Sequence, residues 1–447
     1  MQIVIGGEDE VAFGLAEALM GEHGVFLILP ESASGPRIDS LDVEPVYGQL
    51  TASRTLTRAG VQNADLFIAS TPYDEQNLVA CVVAKRLGAR KTVCFLFRPD
   101  FRTAIDESAL FASAVGIDSI IRPAEQLSRE ILRIVNVPGA LDVEIFEQGR
   151  VQLFRHAVEP GAPITRAPLM DVGLPSDVVL AMVRRGDEIV IPKGNTLLEP
   201  GDKVTAMGNP AGMNRLLFRF LRSTDHVRDA RRVTVVGAGE VGLAVALGLE
   251  DLGWEVKIIE PNPERCEEVA RVSNSLVLQG DGANLYLLEQ ERVAEDSVVV
   301  AVTSNDERNL LVSLVAKSLG VPRIITRADI TANERLFEKV GIDVVRSAKG
   351  AAIQSVVRGV VSSRAELLAE LEHGDAMVLE LVLVAGLEPK ALSALRPPES
   401  AIIGTIVRGN QVITPSGRDT IQGGDRVLVF CTREHEHQVR DFFHRLK

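Results

Sequence analysis

The sequence is poor in several things, and each shortage excludes something. Aromatic residues make up 4% of the 447, with a single Trp254. That leaves few rings for stacking nucleic-acid bases. Basic residues number 48 against 61 acids, a formal net charge of −13. An acidic chain repels phosphate backbones, so a nucleic-acid partner is not expected. The four cysteines (Cys81, Cys94, Cys266, Cys431) form no C-x-x-C pair, and we expect them to be buried, reduced thiols rather than metal ligands. No apolar run approaches the ~20 residues needed to cross a bilayer. The apolar stretches 178–183 and 298–302 have the length of strands, and Glu380 interrupts 376–387. The opening MQIVIGGEDE has neither a basic region nor an apolar core. We therefore expect no signal peptide, no transmembrane segment and a cytosolic location.

What the chain does have is internal repetition. Residues 74–88 (DEQNLVACVVAKRLG) match 306–320 (DERNLLVSLVAKSLG) at an offset of 232, with eleven of fifteen positions identical or similar. The preceding stretches agree too: ADLFIAST at 64–71 and DSVVVAVT at 296–303. LFASAVGID at 110–118 echoes LFEKVGID at 336–343. A second unit repeats at an offset of 223, between 179–204 and 402–427. It sets Arg185-Gly186 on Arg408-Gly409, Pro192 on Pro415, Gly194 on Gly417 and Gly201-Asp202 on Gly424-Asp425. The order is A–B–A′–B′, a tandem duplication of a two-domain module.

Short β-branched runs at 232–236, 255–260, 275–279, 297–302, 322–326 and 343–345 alternate in A′ with helical apolar spacing at 240–252 and 307–319. Unit A keeps the rhythm, with strands near 2–6, 25–29, 43–47, 65–69, 92–97 and 118–121. The fold class is α/β, two Rossmann-like parallel sheets covered on both faces. Turn signals at 184–188, 199–202, 407–410 and 423–426 mark units B and B′ as small α+β domains, each ending in a helix (210–221 and 433–446). The polar stretch 223–232 reads as a linker. A long helix over 350–372 is expected to join A′ to B′, its apolar face carried by Ile353, Val356, Val357, Val360, Val361, Leu367, Leu368 and Leu371. The expected lobes are 1–138, 139–222, 231–360 and 361–447.

The chemistry concentrates in A′. Residues 233–245 read VTVVGAGEVGLAV, a strand running into Gly237-x-Gly239-x-x-Gly242 and then a helix. Gly237 allows the tight turn, Gly239 lets a pyrophosphate approach the backbone, and Gly242 lets the helix pack on the strand. The free helix N–H groups then face the phosphates. Glu260, 18 residues after Gly242, ends the next strand and can accept hydrogen bonds from ribose hydroxyls. It would repel a 2′-phosphate, which disfavours NADP. Two loops lie at the carboxyl ends of strands, Gly280-Asp281-Gly282 and Thr303-Ser304-Asn305-Asp306. Asp281 could accept from an adenine amino group, and Arg327 could reach phosphates or a neighbouring subunit. Glu240 near the phosphates disfavours a triphosphate mildly.

Unit A has lost most of this at 4–16 (VIGGEDEVAFGLA): Gly7 falls on Gly237, but Asp9 and Ala12 replace the second and third glycines. Leu29 falls on Glu260, Gln49-Leu50 on Asp281-Gly282, and Arg98 is placed on Arg327. We read this unit as mostly structural.

None of the seven histidines lies in the nucleotide-binding loops, and no G-x-S-x-G or P-loop is present. His435 and His437 point to different sides of a helix and make a poor metal pair. A nucleotide site without a proton-transfer partner suggests binding used as a signal, with an NAD-dependent oxidoreductase or a nucleotide-responsive scaffold as alternatives.

The A–B–A′–B′ order, with GAGEVG at 237–242, GDG at 280–282 and TSNDERN at 303–309, resembles the peripheral regulatory subunits of Trk-type potassium uptake systems, which carry tandem RCK (KTN) modules. The resemblance covers essentially the whole chain. It implies a non-enzymatic cytoplasmic protein, peripheral at the inner face of the plasma membrane, that docks on a membrane potassium-translocating subunit. It implies assembly into rings, often tetramers, and regulatory binding of NAD(H) or an adenine nucleotide (ATP, ADP or AMP). The nucleotide-binding residues carried over are Gly237, Ala238, Gly239, Glu240, Val241, Gly242, Glu260, Asp281, Gly282, Thr303, Ser304 and Arg327.

Overall fold

The computed structural model describes the chain apart from residues 22, 99–115, 187, 224–230, 362–366, 372–374 and 447. The linker at 223–232 and the repeat at 110–118 thus lie largely outside the described residues.

The chain opens with β1 (Gln2–Gly6), β2 (Gly24–Leu29), β3 (Glu44–Tyr47), β4 (Leu66–Ala69), β5 (Lys91–Phe95) and β6 (Ser119–Ile121). They form one parallel sheet ordered β3-β2-β1-β4-β5-β6. Ile3, Val4 and Ile5 of β1 and Leu66, Phe67 and Ile68 of β4 are fully buried, as strands covered on both faces must be. The next lobe holds β7 (Ala140–Phe146), β8 (Val151–Ala157), β9 (Val178–Arg185), β10 (Glu188–Val190) and β11 (Lys203–Gly208) in an antiparallel sheet ordered β10-β9-β11-β8-β7.

The pattern then repeats. β12 (Arg232–Val236), β13 (Glu255–Glu260), β14 (Leu276–Gln279), β15 (Val298–Ala301), β16 (Ile324–Arg327) and β17 (Val344–Arg346) give the parallel order β14-β13-β12-β15-β16-β17. β18 (Leu367–Leu371), β19 (Ala376–Val382), β21 (Ala401–Arg408), β22 (Gln411–Ile413) and β24 (Arg426–Thr432) form the last antiparallel sheet, with β20 (Lys390–Ala391) and β23 (Thr420–Ile421) paired beside it. Both parallel sheets reverse their strand order at the first strand, so a crevice opens at the carboxyl ends of β1/β4 and of β12/β15.

Two compact units result: Met1–Ile131 with Arg231–Val360, and Leu132–Ala230 with Val361–Lys447. In the first unit, the two parallel-sheet lobes exchange helices. Ser128 Oγ, on the helix Pro123–Asn136, reaches Val241 O at 3.5 Å, and Glu130 Oε1 accepts from Arg346 Nε at 2.5 Å. On the other side, Ile353 of the helix Ala348–Val361 packs so close to Gly14 that an added Cβ there would lie 2.6 Å from its Cδ1. In the second unit, Val151, Leu153, Ala181 and Met207 share one core with Val378, Val407, Leu428 and Phe430.

The repeated Arg-Gly…Gly-Asp signature proves to be a structural clasp. Arg185 grips Asp202 with two hydrogen bonds (2.8 and 2.7 Å), and Arg408 grips Asp425 the same way (2.8 Å each). Each aspartate also accepts a backbone N–H, from Glu199 and Gln422 respectively, at 2.9 Å.

Two expectations need correction. The helix expected over 350–372 ends at Val361, and Leu367–Leu371 is a strand paired with β19. Leu, Ala and Glu favour a helix there, but that preference is a few tenths of a kcal/mol per residue, and pairing with a sheet edge outweighs it. Leu371 is buried in the shared core of the second unit. Of the cysteines, Cys81, Cys94 and Cys431 are buried, but Cys266 is only partly so.

Candidate functional site

β12 carries Val233, Val235 and Val236 into the core and delivers the chain at Gly237 to the crevice. Gly237 has φ +102°, and a Cβ on it would lie 3.0 Å from Thr303 N. A Cβ on Gly242 would stand 1.8 Å from Gly237 O, so this glycine lets the helix Glu240–Asp251 start directly behind the turn. Gly239 differs: nothing lies within 4 Å of its added Cβ. It is the N-cap of the helix and supplies no side-chain cap. The first helical N–H groups therefore face an open space with a partial positive charge, the requirement for receiving a phosphate.

Glu260 ends β13 beside this turn. Its Oε2 accepts from Ala238 N–H at 2.9 Å and its Oε1 from Asn262 N–H at 3.0 Å. Arg265 Nε donates to Ala238 O at 2.7 Å, so the Ala238 peptide is held from both sides. Each oxygen of Glu260 keeps acceptor capacity for a vicinal diol. Asp281 Oδ1 accepts from Ala283 N–H at 3.0 Å, while Oδ2 meets Arg308 Nη2 at 3.3 Å. Gly282 leaves room for Val236, whose Cγ1 would be 2.3 Å from an added Cβ.

On the other side of the turn, Asn309 ties two strand ends together. It accepts from Thr303 N–H (2.9 Å) and Thr303 Oγ1 (2.7 Å), and donates to Thr303 O and Arg327 O, both at 3.0 Å. The Thr303 hydroxyl is thus spent on positioning its own loop. Arg327 makes a two-pronged pair with Asp329 (2.9 and 2.6 Å). Asp306 holds the Asp329 and Ile330 N–H groups at 2.9 and 3.1 Å.

These groups enclose a cleft of about 460 Å³. Of the residues expected from sequence, Gly237, Gly239, Glu240, Val241, Glu260, Asp281, Gly282, Thr303, Ser304 and Arg327 line it. Ala238 and Gly242 shape it from behind. Sequence reasoning missed Arg308, Asp329, Lys349, and a wall from the first lobe, Phe97, Pro123 and Ala124. Arg308 sits inside the quoted TSNDERN stretch and was within reach; the first-lobe wall had no local signal.

The first lobe has a smaller cleft, about 370 Å³, at the equivalent place. Asp9 caps its helix Glu10–Leu19 by accepting from Ala12 N–H at 3.0 Å, closing the N-terminus that a phosphate would use. Leu29 is fully buried in place of Glu260. The volumes around the turn are exchanged: Leu50 packs over Gly6 here, where Val236 packs over Gly282 in the second lobe. One assignment is overturned. Asn77 Nδ2 donates to Phe95 O as Asn309 Nδ2 does to Arg327 O, so Phe95, not Arg98, occupies the position of Arg327. Arg98 N–H reaches Asp74 as Ile330 N–H reaches Asp306, and its side chain pairs with Glu75 at 2.9 Å.

The architecture is thus a doubled module, a Rossmann-type lobe followed by an antiparallel α+β lobe. The TrkA-N domain model matches residues 3–123 and 233–348, and the TrkA-C domain model matches 153–220 and 378–444. The chain is 34% identical to the Trk system potassium uptake protein TrkA homolog of Archaeoglobus fulgidus, across 99% of this chain and 100% of that one. It is 30% identical to the Trk system potassium uptake protein TrkA of Halomonas elongata, across 99% and 97%. Among solved structures, the GsuK RCK domain superposes with a TM-score of 0.59 at 19% identity, covering 99% of this chain and 94% of the other. The GsuK channel bound to NAD gives 0.59 at 18%, covering 99% and 78%. The chain belongs to the TrkA family. No helix among the described residues is long and apolar enough to cross a membrane.

Proposed function

We propose that this chain is a nucleotide-responsive regulatory subunit of a potassium uptake system. It is non-catalytic, works at the cytoplasmic face of the membrane, and acts on a separate potassium-translocating subunit. The lobes bounded at 1–138, 139–222, 231–360 and 361–447 divide the labour. The second Rossmann-type lobe binds NAD(H) or an adenine nucleotide, the first is a degenerate partner, and the small lobes support assembly, as a tetramer, into a ring. Kinship over the full length to Trk potassium uptake proteins supports the system. One observation carries the ligand: the uncapped helix start at Gly239, beside a Glu260 carboxylate held by the Ala238 and Asn262 N–H groups.

In this mechanism the ligand's pyrophosphate lies on the first turn of the Glu240–Asp251 helix. Glu260 accepts from the ribose hydroxyls and Asp281 stands by the base. Binding biases the unit only by the difference in affinity between its conformations, so a ~100-fold difference is worth about 2.7 kcal/mol. Native mass spectrometry of the purified chain with NADH and with ATP tests both parts, reporting bound nucleotide and subunit number together. Failure to retain either ligand, or binding that Glu260→Ala and Asp281→Ala leave unaffected, sinks the site. Potassium flux through a reconstituted Trk-type membrane subunit, unchanged on adding the chain with nucleotide, sinks the regulatory role.

A further inference from the structure

The first-lobe cleft keeps the place of its counterpart but not its charge. Among the described residues, seven charged side chains line the second-lobe cleft of about 460 Å³. The first-lobe cleft, of about 370 Å³, is lined by one, Glu8, which is exposed. The exchange runs position by position. Leu29 stands for Glu260, Gln49 for Asp281 and, by the match of 74–88 to 306–320, Gln76 for Arg308. Both members of the Asp281–Arg308 ion pair are thus replaced by amides. Asp9 already closes the helix start that would face a phosphate. A phosphate entering here would leave water for the buried apolar floor of Ile28, Leu29 and Leu50, with no cation among the described lining residues to meet it.

What the cleft offers instead suits a neutral ring. Gln49 and Gln76 are exposed in its lining, and an amide presents donor and acceptor together, as the edge of a heterocycle requires. Tyr73 lines it too and is 61% exposed. Tyr73 is the N-cap residue of the helix Asp74–Leu87 yet makes no side-chain cap. Asn305, at the same place in the second lobe, caps the helix Asp306–Ser318 by accepting from Arg308 N–H at 2.7 Å. The ring is therefore free of that structural duty and stands at the cleft with Pro30 and Pro72. An apolar floor of this size with a few convergent polar groups is the usual form of a small-molecule site.

We propose that the first-lobe cleft binds an uncharged nucleobase or nucleoside, stacked on Tyr73 and hydrogen-bonded by Gln49 and Gln76. The inference is independent of the nucleotide reading of the second lobe and gives the first lobe a ligand of its own. The duplicated module would then hold a site that rejects phosphate beside the charged cleft of its second copy.

The test is calorimetric titration of the full chain with adenine, adenosine and AMP, in the wild type, Tyr73→Ala and Glu260→Ala. Tyr73 is exposed, so its truncation leaves the core intact. Loss of one stacking ring is expected to weaken adenine or adenosine by about five-fold or more in Tyr73→Ala. Glu260→Ala should leave that binding event within about two-fold, and AMP should stay within about two-fold in Tyr73→Ala. The stronger binder of the two uncharged probes tells whether the sugar belongs to the ligand. No binding of either uncharged probe, binding that Tyr73→Ala leaves unchanged, or AMP weakened by Tyr73→Ala as much as adenosine overturns the proposal. Failure of the nucleotide reading shows separately, as a wild-type chain that does not bind NADH, and leaves this test as it stands.

Discussion

Lys349 Nζ lies 3.0 Å from Glu10 Oε2, an ion pair between the two Rossmann-type lobes made by a lysine that also lines the second-lobe cleft. The other basic residues of that lining are Arg308 and Arg327, and each meets an acid of its own lobe, Asp281 and Asp329. Lys349 alone in that lining is shared between ligand space and the partner lobe. On the proposed reading, a bound pyrophosphate would compete with Glu10 for it. Glu10→Gln should tighten NADH by roughly two- to five-fold, and Lys349→Met should weaken it by a similar factor. In the double variant Glu10→Gln should have no further effect. Both groups are more than a third exposed, so the pair itself is worth at most ~1 kcal/mol of stability and less at high salt. Calorimetry at two salt concentrations reads both effects; additive changes in the double variant would show that the two residues act separately.

The two glycines of the turn should fail in different ways. Gly242→Ala forces a methyl group to within 1.8 Å of a backbone oxygen, and backbone cannot swing aside. We expect a loss of about 1–3 kcal/mol, a lowered unfolding temperature and no nucleotide binding. Gly239→Ala meets nothing within 4 Å. Its melting should match the wild type, while nucleotide affinity falls at least ten-fold because the methyl occupies phosphate space. A Gly239→Ala chain that binds NADH normally would remove the pyrophosphate from this turn.

The contrast also marks what the sequence could reveal. Gly237, Gly239, Gly242 and Glu260 sit within 24 residues of one another, so their chemistry is local and legible, as are the apolar strands on either side. Phe97, Pro123 and Ala124 reach the cleft from more than a hundred residues away, through the packing of the Pro123–Asn136 helix, and no spacing rule signals that. Arg98 was misassigned because matching residue types across the repeat favours arginine on arginine. The repeat offset of 232 puts Phe95 on Arg327, and the strand registers and the Asn77 and Asn309 hydrogen bonds agree. The segment 367–371 reads as helix because its residues like helices, and its strand partner, β19, is the decisive neighbour.

Restoring the first lobe's glycine should not restore a site. Asp9→Gly removes the cap on the Glu10–Leu19 helix and frees its N–H groups. Loss of a capping side chain to glycine costs only a few tenths of a kcal/mol. Leu29, Leu50 and Phe95 still stand where Glu260, Gly282 and Arg327 line the second-lobe cleft. Nucleotide stoichiometry of the Asp9→Gly chain, counted by native mass spectrometry, should remain one per chain. A second bound nucleotide would mean that the cap alone had closed the first lobe.

The clasps in the small lobes predict an acid limit. Burial pushes the Asp202 and Asp425 carboxyls up, but the hydrogen bonds from Arg185 and Arg408, a backbone N–H and the guanidinium charge outweigh it, leaving both below the usual aspartate value. A carboxyl depressed in the folded state adds stability above its unfolded value of ~3.9 and loses it as pH falls through the lower folded value. The second compact unit should therefore keep its full stability at neutral pH and begin to lose it below about pH 4. Asp425→Asn keeps the shape but discards the charge, leaving Arg408 with weaker acceptors. It should cost roughly 1.5–3 kcal/mol at pH 7, the worth of hydrogen bonds to a charged group, and less at pH 3. Denaturant melts of wild type and variant at both pH values give the comparison. A difference that persists undiminished at pH 3 would mean that the carboxylate's charge is not what closes the clasp.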